Sequence, residues 1–191
     1  MKTSATSWEA AYRRLLEASS FAARAHHGQM RKDKETPYIS HVFRVCLIVR
    51  DTFGISDHAV LMAALLHDTV EDTTKDFDDV AELFGEEVAR WVATLSKDKR
   101  RPEPEREKMY ESELTSAPWQ VQVCKLADVF DNLLDSCNMP AAKRAKSLRN
   151  ARRYLDALKT NLQEPARPAW KIVSELFQEL EAQKAKESLG S

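Results

Sequence analysis

The chain has 191 residues, enough for one ordinary domain whose core hides roughly 70% of the surface the unfolded chain exposes. Hydrophobic residues make up 43% and charged residues 31%, which excludes a disordered chain; 29 basic against 30 acidic residues (net charge −1) argues against a nucleic-acid binder, which carries a basic excess. Only 4 Gly and 7 Pro speak against a turn-dense β-sandwich or barrel, and the 3 cysteines (Cys46, Cys124, Cys137) form no C-x-x-C pair, so neither a disulfide framework nor a thiolate zinc site is expected.

From Trp8, the residues Tyr12, Leu15, Ser19, Ala22 and His26 recur at three- and four-residue steps, which predicts a first helix that Gly28 stops. A polar stretch from Gln29 to Thr36 follows, closed by Pro37. The next helix begins around Ile39, carries Val42, Val45, Cys46 and Val49 on one stripe, and ends at Gly54. Ser56 is the expected N-cap of a third helix, running through the block AVLMAALL (59–66) into HDTVEDT (67–73). A block apolar on all sides belongs at the centre of a bundle. Shorter helices over 77–84 and 86–95 flank Gly85, and the segment 96–107 reads as a loop with a polar helix after Pro104. Pro118 opens a helix over 119–135; two more span 140–163 and 165–184, the last burying Trp170, Val173, Phe177 and Leu180. Residues 1–184 are expected to form one all-α domain, a bundle of roughly eight or more helices, with 185–191 as a flexible tail.

The sharpest chemical feature is His67-Asp68, an imidazole beside a carboxylate at the end of the most apolar helix, where charge is costly unless compensated. A divalent ion is one compensator. His41, at the start of a striped helix, and Asp128, inside the apolar turn LADVF, would complete a set of two nitrogens and two oxygens. Mixed N/O ligation without thiolate suits Mn²⁺ or Fe²⁺ ahead of Mg²⁺ or Zn²⁺. Each residue also has a plainer reading, since a lone Asp or His near a helix end is usually a cap or a satisfied hydrogen bonder. Glu71 and Asp72 follow one turn later, about 40° round an ideal helix from His67 and Asp68. They either serve a water at the ion or form a solvated acidic junction with Thr73 or Thr74 as an N-cap. Asp128, Asn132 and Asp135 share one face with Lys125 nearby; Asn132 could read a base or sugar, or belong to a polar stripe. Arg31 and Lys32 precede His41 and could hold phosphate or lie in a solvated loop. The second basic run, Lys97 to Arg101, is followed by Glu103, Glu105 and Glu107 and is weaker evidence of an anion site.

The segments AHHGQMRK (25–32), TPYISH (36–41), ALLHDTVEDT (64–73), FGEEVARWV (84–92) and VCKLADVFDN (123–132) stand together in one order. In that order and rough spacing the chain resembles the HD-domain phosphohydrolases of the RelA/SpoT family over about residues 8–160, and is similar to their stand-alone small alarmone hydrolases. The resemblance implies an all-helical HD fold with one Mn²⁺ on His41, His67, Asp68 and Asp128 and a catalytic acidic pair, Glu71 and Asp72. It places Arg31, Lys32, Asn132 and Tyr154 at the nucleotide. The implied reaction removes the 3′-diphosphate of (p)ppGpp, giving GDP or GTP and pyrophosphate. Departures from the family pattern are Val129 in place of a basic residue, Asp131 in place of His or Tyr, Val42 in place of Pro, and a loop before Pro37 without its usual Gly. All metal and acid positions are intact, so these changes bear on which nucleotide is hydrolysed.

Rival readings are the same site acting on an adenosine alarmone or on the 2′-phosphate of NADPH, and a non-catalytic nucleotide-binding helical protein. The expected partner is a small nucleotide, with no nucleic acid and no membrane; a homo-oligomer is left open. Charged residues within the first twenty, the lack of an apolar run near ~20 residues and the unpaired cysteines together fit a cytoplasmic protein.

Overall fold

The computed structural model describes residues 7–137 and 139–189. Among them the secondary structure is helical throughout, apart from an isolated antiparallel bridge between Met30 and Pro37. The chain forms two compact units, divided after Pro102.

The first unit is built around α3 (His58–Leu66), in which every residue from Val60 to Leu66 is buried. Its uniformly apolar sequence suits a helix packed on several sides, here by α1 (Ser7–Ala25), α2 (Ile39–Leu47) and α6 (Glu86–Leu95). The N-cap is Asp57, whose side chain accepts from the amides of Ala59 (2.8 Å) and Val60 (3.1 Å), and not Ser56 as the sequence suggested. Its carboxylate has two acceptor oxygens and complements the N-terminal dipole better than a hydroxyl. In α1 the expected stripe holds only in its second half. Of its members Ala22 and, just past the helix end, His26 are buried, Leu15 and Ser19 are half-buried, and Trp8 and Tyr12 are 62% and 46% exposed; Ala18 and Phe21 are buried in addition.

Helix α2 buries Val42 and Val45 as expected, then widens into a π-helical turn over Ile48–Thr52, closed by the Phe53 amide on the Ile48 carbonyl (2.9 Å). The extra residue leaves both Ile48 and Val49 buried.

The third helix does not run on to residue 73. It stops at Leu66, and a separate four-residue turn, α4 (Thr69–Asp72), follows. The break has a local cause: His67 Nδ1 donates to the Ala64 carbonyl at 2.8 Å, competing for the acceptor that the Asp68 amide uses in an uninterrupted helix. Helix α5 (Phe77–Phe84) starts at a capping box in which Asp76 and Asp79 each accept the other's amide. Gly85, at φ +90°, turns the chain directly into α6.

The second unit contains α7 (Glu103–Ser116), α8 (Trp119–Ser136), α9 (Ala141–Thr160) and α10 (Arg167–Leu189). Helix α7 starts at Glu103, one residue before Pro104, which the first turn tolerates. Helix α8 packs against α9 and α10 and buries Val121, Val123, Cys124, Leu126, Ala127 and Leu133. Between α9 and α10 lies a 3₁₀ turn, Glu164–Ala166, instead of a helix beginning at Pro165. Helix α10 buries Val173, Phe177 and Leu180 and extends to Leu189, past the expected end at residue 184; the last two residues of the expected tail lie outside the described residues.

Candidate functional site

In the first unit the broken helix end delivers its polar groups to one place. His41 and His67 are 1% and 2% exposed, and both imidazoles face one carboxylate oxygen, Asp68 Oδ2, from His67 Nε2 at 2.9 Å and His41 Nε2 at 3.5 Å. Because His67 Nδ1–H is spent on the Ala64 carbonyl, Nε2 of the neutral ring is a lone pair directed at a carboxylate oxygen. Two such acceptors at that separation require a proton or a cation between them. Burial pushes the Asp68 carboxyl up, but with a proton on these imidazoles the charge and hydrogen bonds of His67 and His41 outweigh it and hold the group well below the usual carboxylate range. The donors present therefore fit a divalent ion that accepts imidazole and carboxylate.

Tyr38, which the sequence reading did not single out, closes this cluster. Its hydroxyl donates to Asp68 Oδ2 at 2.5 Å and lies 3.3 Å from Asp72 Oδ2. Its ring packs on His26 (centroids 5.0 Å apart) and edge-on to His41 (5.5 Å). Gln29 ties these pieces to α4: its amide donates to the Asp72 carbonyl (2.7 Å), leaving its oxygen to accept from His26 Nδ1 (2.9 Å). His26, Gln29 and Tyr38 all lie in segments quoted for the family resemblance. Tyr38 carried a sequence signal, three residues before a candidate ligand, but aromatic residues at such positions are usually core.

The acidic pair Glu71-Asp72 is half-buried and meets lysines. Glu71 Oε2 accepts from the Lys97 amide at 2.9 Å, with the Lys97 ammonium 4.0 Å from Oε1. Asp72 Oδ1 is paired with Lys99. Neither Thr73 nor Thr74 caps the next helix; Asp76 does. The basic run after α6, judged weak from sequence, thus lies at the acids. Its Arg100 and Arg101 are drawn to Asp98 (2.8 and 3.5 Å), whose carboxyl the Arg100 hydrogen bond lowers to about 2.

Arg31 is 8% exposed with its guanidinium 5.6 Å from the Tyr38 ring centroid, while Lys32 is exposed. The loop that carries them is fastened by Asp33, which accepts from the Glu35 and Thr36 amides (2.9 Å each) and from the Thr36 hydroxyl (2.6 Å), holding its carboxyl down to about 2. Lys34 sits at φ +67°, where glycine is the unstrained choice.

In the second unit, α8 brings Lys125, Asp128 and Asn132 together, as their spacing predicts. Lys125 Nζ reaches Asp128 Oδ2 at 2.8 Å, and Asn132 Nδ2 reaches Asp128 Oδ1 at 2.5 Å. Lys125 is 6% exposed, its ammonium 4.2 Å from the Tyr154 ring centroid and 5.1 Å from that of Tyr110. Burial alone would lower its pKa; Asp128, then Tyr110 and Tyr154, hold it well above the usual lysine value. Tyr154 is 5% exposed and gives its hydroxyl to Glu107 Oε2 at 2.8 Å. Among the departures from the family pattern, Val42, Val129 and Asp131 are all buried.

Comparison with known proteins agrees with this geometry. Residues 18–156 match the family model of the HD domain. The guanosine-3′,5′-bis(diphosphate) 3′-pyrophosphohydrolase MESH1 of Homo sapiens is 46% identical over 122 residues, covering 63% of this chain and 68% of that protein. Its namesake in Drosophila melanogaster is 42% identical over 123 residues, 64% of this chain and 69% of that one. Among solved structures, a metazoan orthologue of SpoT, described as hydrolysing ppGpp, superposes with a TM-score of 0.76 at 31% identity, covering 93% of this chain and 97% of that one. The chain belongs to the HD-domain family, alongside the metazoan SpoT-like proteins.

Proposed function

We propose that this protein is a metal-dependent guanosine-3′,5′-bis(diphosphate) 3′-diphosphatase, hydrolysing (p)ppGpp to GDP or GTP and pyrophosphate. The observation that carries the reading is the buried His41–Asp68–His67 cluster with a lysine-held acidic pair one turn further on. That arrangement, in a member of this family, suits hydrolysis better than simple binding. In this reading His41, His67, Asp68 and Asp128 are the side chains that would hold the ion, two imidazoles and two carboxylates. When bound, a divalent ion, for which Mn²⁺ is our choice, supplies a Lewis acid that neutralises phosphoryl charge and lowers the pKa of water.

The remaining work falls to side chains. Glu71, held at Oε2 by the Lys97 amide, accepts the proton of the attacking water, and Asp72 orients that water. Tyr38 keeps Asp68 in place and separates it from Asp72. Arg31 and Lys32 take outlying phosphates, while Asn132 and Tyr154 border the nucleoside. The family match continues through the division after Pro102, which supports residues 1–184 acting as one catalytic domain.

The test is a substrate panel. Purified full-length chain with Mn²⁺ is offered ppGpp, pppGpp, ppApp and NADPH, and pyrophosphate is followed against orthophosphate. Pyrophosphate from the guanosine substrates at the highest kcat/KM is expected. Orthophosphate from NADPH alone, or binding without turnover, would overturn the proposal.

A further inference from the structure

We propose that Lys125 is a positioning residue, which clamps the Asp128 carboxylate so that this side chain reaches its ion in one orientation. The proposal rests on the reading of Asp128 as a metal ligand. An ammonium taken out of water costs several kcal/mol unless its surroundings repay that cost. Methionine would fill a similar volume in this helix with no such cost, so what the lysine adds is its hold on a carboxylate. The hold is specific: Nζ sits on Oδ2 at 2.8 Å while Asn132 Nδ2 sits on Oδ1 at 2.5 Å, fixing the plane of the carboxylate at both ends.

The clamp is itself held. Faces of Tyr154 and Tyr110 lie 4.2 and 5.1 Å from the ammonium, at distances where a ring attracts a cation. The two rings meet edge-on (centroids 5.7 Å apart), and the Tyr154 hydroxyl is anchored on Glu107 at 2.8 Å. Helices α7, α8 and α9 thus each contribute to the orientation of one aspartate. The ammonium is spent on the Asp128 carboxylate and enclosed by two rings, so its action goes through Asp128.

The experiment titrates full-length wild type, Lys125→Met and Asp128→Ala with Mn²⁺. Free and bound ion are read by electron paramagnetic resonance, and urea stability is measured in chelator. Lys125→Met is expected to weaken Mn²⁺ binding by about 10- to 100-fold, the range for a group that orients a ligand. At saturating ion it should also change the bound Mn²⁺ spectrum, because the carboxylate, then held by Asn132 at Oδ1 alone, samples other orientations. Unchanged affinity overturns the proposal. So does weaker binding with a wild-type bound spectrum and lowered stability in chelator, the signature of a merely structural lysine. If Lys125→Met does not fold, Tyr154→Leu takes one ring from the ammonium and leaves the lysine. That variant should weaken Mn²⁺ binding by at least about threefold with the same spectral change, and wild-type behaviour overturns the proposal. Wild-type binding by Asp128→Ala would instead overturn the reading of Asp128 as a ligand.

Discussion

Replacing Tyr38 by phenylalanine isolates one hydrogen bond. The ring keeps its contacts with His26 at 5.0 Å, His41 at 5.5 Å and Arg31 at 5.6 Å, so no cavity opens and only the hydroxyl is lost. That hydroxyl donates to an ionised carboxylate at 2.5 Å, and bonds to charged groups contribute about 1.5–3 kcal/mol. The 3.3 Å approach to Asp72 adds little, because the phenol has a single proton and Asp68 takes it. Asp68 is 16% exposed, so water replaces part of the lost bond. The expected cost therefore lies toward the lower end, about 1.5–2 kcal/mol. Urea unfolding in chelator at pH 7 measures it directly; with a slope of about 1–3 kcal/mol per molar, the midpoint should fall by roughly 1 M. A loss under about 0.5 kcal/mol would show that the hydroxyl does not hold Asp68 and would refute the reasoning. In the Mn²⁺-loaded protein the same variant should lose about 10- to 100-fold in turnover, because Asp68 is no longer aimed.

His67→Ala should abolish Mn²⁺ binding and turnover together, whereas Glu71→Gln should keep the ion and lose about 10²–10⁴-fold in kcat. Metal analysis of the two proteins separates the roles, and equal metal loss would make Glu71 a ligand. Asp57→Ala removes the acceptor of two amides at the start of α3 and should cost about 1 kcal/mol in urea unfolding, with Asp57→Ser recovering most of it. An unchanged midpoint would show that the cap is idle. Asp68 is depressed in the folded state, so its stabilisation is complete above the unfolded carboxylate value near 3.9 and is lost as pH falls through the lower folded value. In chelator the urea midpoint of wild type should therefore drop more steeply below about pH 4 than that of Asp68→Asn, and parallel profiles would contradict this.

Helix periods, glycine stops and proline starts are local signals, and the elements that depend on them were legible. The apolar run of α3 could only be a central helix, and the spacing of Lys125, Asp128 and Asn132 puts them in contact whatever the tertiary fold. His67 and Asp68 could be singled out because charge beside apolar sequence demands compensation, and the acidic pair because it follows one helical turn later. Other features turn on contacts between residues distant in sequence. Whether Trp8 and Tyr12 are covered depends on what packs across them, which the pattern of α1 itself does not state. The break at His67 depends on a ring competing with an amide for one carbonyl, a contest that residue spacing does not reveal.

The sequence by itself therefore determined an all-helical protein and singled out its candidate polar donors, since both follow from short-range periodicity and from the cost of burying charge. Only the tertiary structure decided how those donors are held. Tyr38 reaches across 30 residues to Asp68, Lys97 across 26 to Glu71, and Glu107 across 47 to Tyr154. Hydrogen bonds over such separations leave no periodic trace, because chain folding, and not neighbouring residues, brings their partners together.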